Sequence, residues 1–213
     1  MALSQTVLGY ATGTIMKKLI FSTALILCLV MLAGCSKNKE IDTNNIQKNT
    51  LLITKEGTLE AGTVESFDKA YYNLTELDKY VTDKINQYNT AKGNEVITKK
   101  NLELKGSNAV LVITYATIDD YNSFNQTDVK LLNTGDVNNA GIDLPQNFSA
   151  AKKNKTVTLS KAFENNKYKV LVLKEKLDVL LQGTIKYYSG GTLVDKHHIE
   201  SADNATTIII YKP

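Results

Sequence analysis

The chain has 213 residues, and its 25 basic and 22 acidic side chains leave a formal net charge of +3. All the basic residues are lysines, so no guanidinium group is present to hold phosphate or carboxylate through two parallel hydrogen bonds. From Cys35 onward, 23 lysines stand against 22 carboxylates. This near-balance argues against nucleic acid as a partner, because nucleic acid is attracted by a strong basic field.

An export signal is the most specific feature of the sequence. Lys17 and Lys18 precede an apolar run, 19–34, that closes with small residues before Cys35. A positive region followed by such a run is typical of a secretory signal peptide. The run has 16 residues, fewer than the ~20 that a membrane-spanning helix needs.

The last four residues of this segment, LAGC, resemble the lipobox of bacterial lipoproteins. In such proteins the cysteine thiol is diacylated and the chain is cut just before it. We therefore expect residues 1–34 to be a signal peptide, with 1–15 a spurious extension because Met16 is the better start. Lipidated Cys35 would then hold the protein on the outer face of the cell membrane, since two acyl chains anchor stably.

Residues 36–50 are polar, with Ile41 and Ile46 as their only aliphatic side chains. Such a composition predicts a flexible tether, so that lipidated Cys35 and the tether together occupy 35–50. A folded extracytoplasmic domain is then expected at 51–213. It contains no cysteine, and therefore no disulfide, thiol nucleophile or thiolate metal ligand.

The first half of the domain is predicted to mix strands and helices. Short strands fall within 51–67, and a helix follows from its cap Asn73 to about Thr90. The apolar residues of this helix recur on one face: Leu74, Leu77, Val81, Ile85 and Tyr88. The next predicted elements are strands at 95–104 and 109–116, a helix at 118–124 capped by Thr117, a strand at 129–132 and a short helix at 134–141.

The last third is predicted to be rich in strands, at 156–159, 168–173, 177–188 with a break near Gly183, and 206–211. A short helix at 161–165 would be capped by Ser160. This intermixing of helices and strands predicts the α+β class, with a mixed, mainly antiparallel sheet and a few helices packed against it.

The only two histidines, His197 and His198, are adjacent. Neighbouring residues of a strand point to opposite faces, so one metal ion cannot easily bind both. Asp195 and Glu200 could add oxygen ligands, but no spaced metal-binding motif is present. A solvated turn is the favoured interpretation, and no catalytic or metal residue is assigned.

Two acidic segments have structural explanations. The segment starting at Asp136 begins like a calcium loop, but Ala140 and Asn147 stand where ligands are required. A helix end is therefore favoured there. Asp119 and Asp120 fall in the first turn of a predicted helix, where the helix dipole favours negative charge.

Two tyrosine doublets are the candidate binding residues: Tyr71, Tyr72, Tyr187 and Tyr188. In each doublet we expect one ring to face inward and the other outward, where it could stack on a sugar or on a partner's side chain.

Three segments and the lipobox carry a resemblance to a known group: Glu56–Val81, Leu111–Asn125 and Ile185–Lys212. The chain resembles the uncharacterised small lipoproteins of clostridial-type Gram-positive bacteria. The resemblance implies the lipobox and the domain behind it, and it carries over one functional residue, Cys35.

The sequence therefore predicts a membrane-anchored, non-enzymatic binding or envelope-interaction module without a cofactor. The expected partners are the membrane through its lipid anchor and cell-wall glycan, a peptide or another envelope protein; the protein is expected to be a monomer. The alternative is an extracytoplasmic hydrolase or metal-dependent enzyme that uses His197 or His198.

Overall fold

A computed structural model describes residues 40–153 and 155–213 of the chain. The predicted signal peptide and Cys35 lie outside the described residues. Helices and strands are mixed, as the sequence predicted, and strands dominate. The strands divide into two sheets, however, where a single sheet was predicted.

The strands are β1 (Thr50–Ile53), β2 (Leu59–Ser66), β3 (Ile97–Lys105), β4 (Asn108–Tyr115), β5 (Lys130–Asn133), β6 (Asn147–Ala150), β7 (Lys155–Thr158), β8 (Lys169–Leu173), β9 (Asp178–Leu181), β10 (Thr184–Ser189), β11 (Thr192–Asp195), β12 (His198–Glu200) and β13 (Thr207–Lys212). The helices are α1 (Leu74–Lys92), α2 (Ile118–Asn125) and α3 (Leu159–Ala162), with a 3-10 helix at Thr134–Asn139.

Sheet A has the strand order β11-β12-β9-β1-β2-β4-β3, and sheet B has the order β5-β8-β13-β10-β6-β7. Sheet A is mixed because β1 runs parallel to β9, whereas all other neighbouring strands in this sheet are antiparallel to each other. Sheet B is antiparallel throughout. The predicted strand 177–188 is two strands, β9 and β10, which separate at Gly183 and enter different sheets.

The largest hydrophobic core joins the two sheets, and we call it the inter-sheet core. Ile53 of sheet A and Ile209 of sheet B both belong to it and are fully buried. Val81 and Ile85 of α1 pack into the same cluster. A second cluster, the outer core, includes Phe148, Val170 and Ile210 and lies on the opposite face of sheet B, because Ile209 and Ile210 alternate along β13.

The longest helix forms as its local sequence predicts. The Asn73 side chain accepts hydrogen bonds from the backbone N–H groups of Thr75 and Glu76, at 2.9 and 3.3 Å. Gly93 ends the helix in the left-handed conformation, with φ of 71°. The short helix predicted at 161–165 instead begins at Leu159, and its cap is Thr158 rather than Ser160.

Of the predicted segments, the tether is the one that differs most from what the structure shows. Residues 40–49, which we call the strap, lie on the face of sheet A opposite the inter-sheet core. Ile41 is 7% exposed and packs with Leu52 and Val112, while Ile46 lies at the edge of this cluster. Over 40–50, the part of the predicted tether 36–50 that the structure describes, the expectation of flexibility is therefore wrong, because aliphatic side chains become buried where a partner surface is available.

Candidate functional site

Tyr71 and Tyr72 are exposed, and together with Phe67 they form what we call the aromatic cluster. The Phe67 and Tyr72 rings stack with centroids 4.8 Å apart, and the Tyr71 ring meets Tyr72 edge-on at 4.9 Å. Tyr71 is 78% exposed and Tyr72 42%. Neither ring of this doublet faces inward as expected. Among the described residues, the ring contacts of Tyr72 are with Phe67 and Tyr71, at the surface.

Local hydrogen bonds position the aromatic cluster between β2 and α1. The backbone N–H of Phe67 donates to the carbonyl of Ser107 at 2.6 Å, and that of Tyr72 donates to Lys69 at 3.0 Å. The adjacent Tyr71 hydroxyl raises the pKa of Tyr72 above its ordinary value. The Tyr72 hydroxyl is therefore neutral and able to donate a hydrogen bond near neutral pH.

Tyr187 and Tyr188 lie in sheet B and are half-buried. Tyr187 packs against the outer core and Tyr188 against the inter-sheet core. The expectation of one inward and one outward ring is wrong here too, since both faces of this part of sheet B are covered.

A β-bulge in β10 gives Tyr187 its orientation. Ile185 is paired with Tyr211 and Tyr187 with Ile210, so Lys186 is the extra residue. Ile185 consequently packs in the inter-sheet core and Tyr187 in the outer core, although residues two apart in a regular strand share a face.

Lys186 and Tyr187 line a recess of about 400 Å³ together with Lys152, Lys153 and Lys196. We call it the lysine recess. Its remaining lining residues are small or apolar except for one threonine: Ala150, Ala151, Thr184 and Ile185. Within the residues that the structure describes, none of the four lysines forms an ion pair.

The two histidines do not converge. The Nδ1 atom of His197 lies 2.5 Å from the carbonyl oxygen of Gly183, and its backbone N–H donates to Asp195. The Nε2 atom of His198 lies 3.6 Å from Oδ1 of Asp178. It is buried and has no hydrogen-bond partner among the described residues. Asp178, the carboxylate nearest to His198, was not a predicted site residue because it is distant in sequence.

His198 and Asp178 line a cavity of about 310 Å³ beneath the strap. Lys48 of the strap pairs with Glu200 at 2.7 Å. The Lys48 ammonium lowers the pKa of Glu200, and the hydrogen bond to Glu200 raises the pKa of Lys48. The Thr50 hydroxyl, also at this cavity, donates to the carbonyl of Lys48 at 2.9 Å.

The acidic segments of the sequence have structural roles. Asp120 is buried at the start of α2, where its carboxylate accepts hydrogen bonds from the hydroxyls of Tyr88 and Thr117, at 3.1 and 2.6 Å. Asp136 lies in the 3-10 helix and accepts from the Asn133 side chain at 2.8 Å. Across 40–153 and 155–213, no three His, Asp or Glu side chains are placed so that they could hold a metal ion.

No family model, curated protein or solved structure matches this chain. Of the helices in the described part of the chain, none combines the length and the apolar character that a membrane crossing requires.

Proposed function

We propose that the protein is a lipid-anchored binding module on the outer face of the cell membrane, without enzymatic activity. The export signal and the lipobox at Cys35 support this location. We also propose the α+β class and membership in the clostridial-type lipoproteins that the chain resembles.

The aromatic cluster is the observation that carries a binding role. Three aromatic rings at one surface position expose apolar area that water solvates poorly. Tyrosine rings are rigid, lose little conformational entropy when they bind and keep a hydroxyl for a hydrogen bond. Such a surface suits a sugar ring or the side chains of a peptide or envelope protein.

The test is capture of a partner by the full chain in detergent micelles, with purified cell wall in one arm and solubilised membrane proteins in the other. We expect Tyr71→Ala and Tyr72→Ala to reduce capture at least about fivefold, the effect of losing roughly 1 kcal/mol. Tyr80→Ala is the matched control, because Tyr80 is 61% exposed on α1 and outside the cluster. Equal capture by all variants would overturn the role of the cluster.

The alternative, a hydrolase or metal-dependent enzyme, has one observation in its favour, the contact between His198 and Asp178. A histidine next to a carboxylate is an arrangement that activates hydroxyl nucleophiles. Among the described residues, however, no serine or threonine hydroxyl is hydrogen-bonded to either histidine ring. Reproducible substrate turnover that His198→Ala abolishes would establish this alternative instead.

A further inference from the structure

We propose that the lysine recess is a binding site for a soluble phosphodiester polyanion, a chain in which phosphate groups alternate with small uncharged units. The site is separate from the aromatic cluster, and the proposal goes beyond the binding role assigned above. It rests on the local charge, on the way the fold assembles the recess and on the chemistry of its lining.

Charge is distributed unevenly along the described chain. Residues 144–213 contain 11 lysines and 6 carboxylates, whereas residues 40–143 contain 10 lysines and 16 carboxylates. The near-neutral total therefore hides a basic C-terminal part. Four of its lysines surround one recess, and the nearest acidic neighbour in sequence, Asp195, accepts a hydrogen bond from the backbone of His197 at 2.6 Å. An anion that enters the recess lies against all four lysines, and salt screens charges only beyond ~8 Å, so the lysines can act on it jointly.

Three separate segments bring these lysines together. Lys152 and Lys153 follow β6, Lys186 is the bulge residue of β10, and Lys196 lies between β11 and β12. Backbone hydrogen bonds tie the segments to one another: the N–H of Ala151 donates to Lys186 at 2.9 Å, and the N–H of Ile185 donates to Lys196 at 2.8 Å. Like charges that line one recess without counter-charges among the described residues disfavour folding slightly, and an anionic ligand would neutralise them.

The lining selects the kind of anion. A single carboxylate or phosphodiester group carries one negative charge and would neutralise one of four ammonium groups, while a chain of phosphodiesters brings several charges to the recess together. Lysine binds phosphate as a point charge and does not need the paired geometry of arginine. The apolar atoms of Ala150, Ile185 and Tyr187 can contact the uncharged units between phosphates.

The shape of the site favours a soluble chain over a membrane surface. A volume of about 400 Å³ falls within the ~300–1,000 Å³ usual for small-ligand pockets. A chain of small units can enter such a recess, whereas a bilayer presents its headgroups on a broad, flat surface.

The test is titration calorimetry of the full chain with a glycerol-phosphate oligomer, and with inorganic phosphate as the monomeric comparison. We expect binding of the oligomer that weakens steeply with salt, and much weaker binding of phosphate. Lys186→Gln and Lys196→Gln should each weaken oligomer binding about three- to tenfold. Each variant should keep or slightly raise the melting temperature, because these lysines form no ion pair among the described residues and lie among like charges.

Lys55→Gln and Lys174→Gln are the matched controls, since both lysines are exposed and lie outside the recess. Unchanged oligomer binding by the controls supports the site. An equal loss in all four variants overturns it, because binding would then reflect net charge alone. Absence of oligomer binding also overturns it. Phosphatidylglycerol vesicles are titrated in the same way, and binding to them without binding to the soluble oligomer would place the contact at a membrane surface and overturn the proposal. Because the aromatic cluster is intact in these variants, capture through Tyr71 and Tyr72 is measured independently.

Discussion

The backbone N–H of Ile41 donates a 3.0 Å hydrogen bond to the buried carboxylate of Glu60 in β2. The same carboxylate pairs with Lys100 at 2.6 Å, and Lys100 also reaches Glu40 at 3.1 Å. One buried acid thus joins the first residues of the strap to two strands of sheet A. The strap is an integral part of the fold rather than a linker beside it.

We predict that Glu60→Gln lowers the free energy of unfolding by about 1–3 kcal/mol, because a hydrogen-bonded buried charge pair is lost. Chemical denaturation measures this change. Glu65→Gln is the control, since Glu65 is exposed on the same strand and its change should be below about 0.5 kcal/mol. Equal effects of the two substitutions would show that Glu60 does not hold the strap.

Gly62 of β2 lies where the strap packs against sheet A. A Cβ atom added there would collide with Cδ1 of Ile46 and lie 3.4 Å from Cδ1 of Ile41. We expect Gly62→Val to displace the strap and to lower stability by about 1–3 kcal/mol, although valine favours strands. The control is Gly135→Val, because nothing lies within 4 Å of that Cβ position. If Gly62→Val raises the melting temperature, the strap does not lie on β2.

Removal of the whole strap gives a more direct measure of its contribution. A chain that starts at residue 50 should melt at least about 4 °C below one that starts at residue 40, because it loses the burial of Ile41 and the hydrogen bond to Glu60. Differential scanning calorimetry compares the two. Identical melting temperatures would restore the flexible tether that the composition predicts.

The stability of the fold at high pH should depend on the ionisation of its buried tyrosines. Burial raises the pKa of Tyr211 from 10.0 to about 12. The neutral ring therefore stabilises the fold fully below pH 10, and this contribution is lost as the pH rises through 12. We predict that Tyr211→Phe leaves stability at neutral pH nearly unchanged and makes the alkaline decline shallower.

Denaturation at a series of pH values measures that slope. Tyrosinate absorbance gives a second readout, which is clear because the chain has 11 tyrosines and no tryptophan. If Tyr211 titrates with the exposed tyrosines, its ring is not held in the inter-sheet core.

Local signals predicted the elements that depend on local contacts. The cap of α1, its apolar face and its glycine end all arise within about 20 residues, so Asn73 and Gly93 could be assigned from the sequence. The same holds for Thr117, which caps α2.

The features that the sequence did not predict depend on contacts between residues far apart in the chain. Ile41 is buried because strands 11 and 71 residues away provide Leu52 and Val112. The hydrophobic periodicity of the sequence does not indicate such a distant partner. The bulge at Lys186 inverts the expected faces of β10, and it appears only in the register with β13. The excess of lysines in the C-terminal part of the chain is visible in the sequence. The way in which three separate segments bring four of these lysines to one recess is not.

The state of Cys35 tests the central claim, a lipid-anchored module outside the membrane, most directly. Intact-mass spectrometry of the protein from its native membrane should find a mature chain that begins at Cys35 and carries the mass of a diacylglyceryl group. A chain that begins at Met1 or Met16 with unmodified Cys35 would contradict the account.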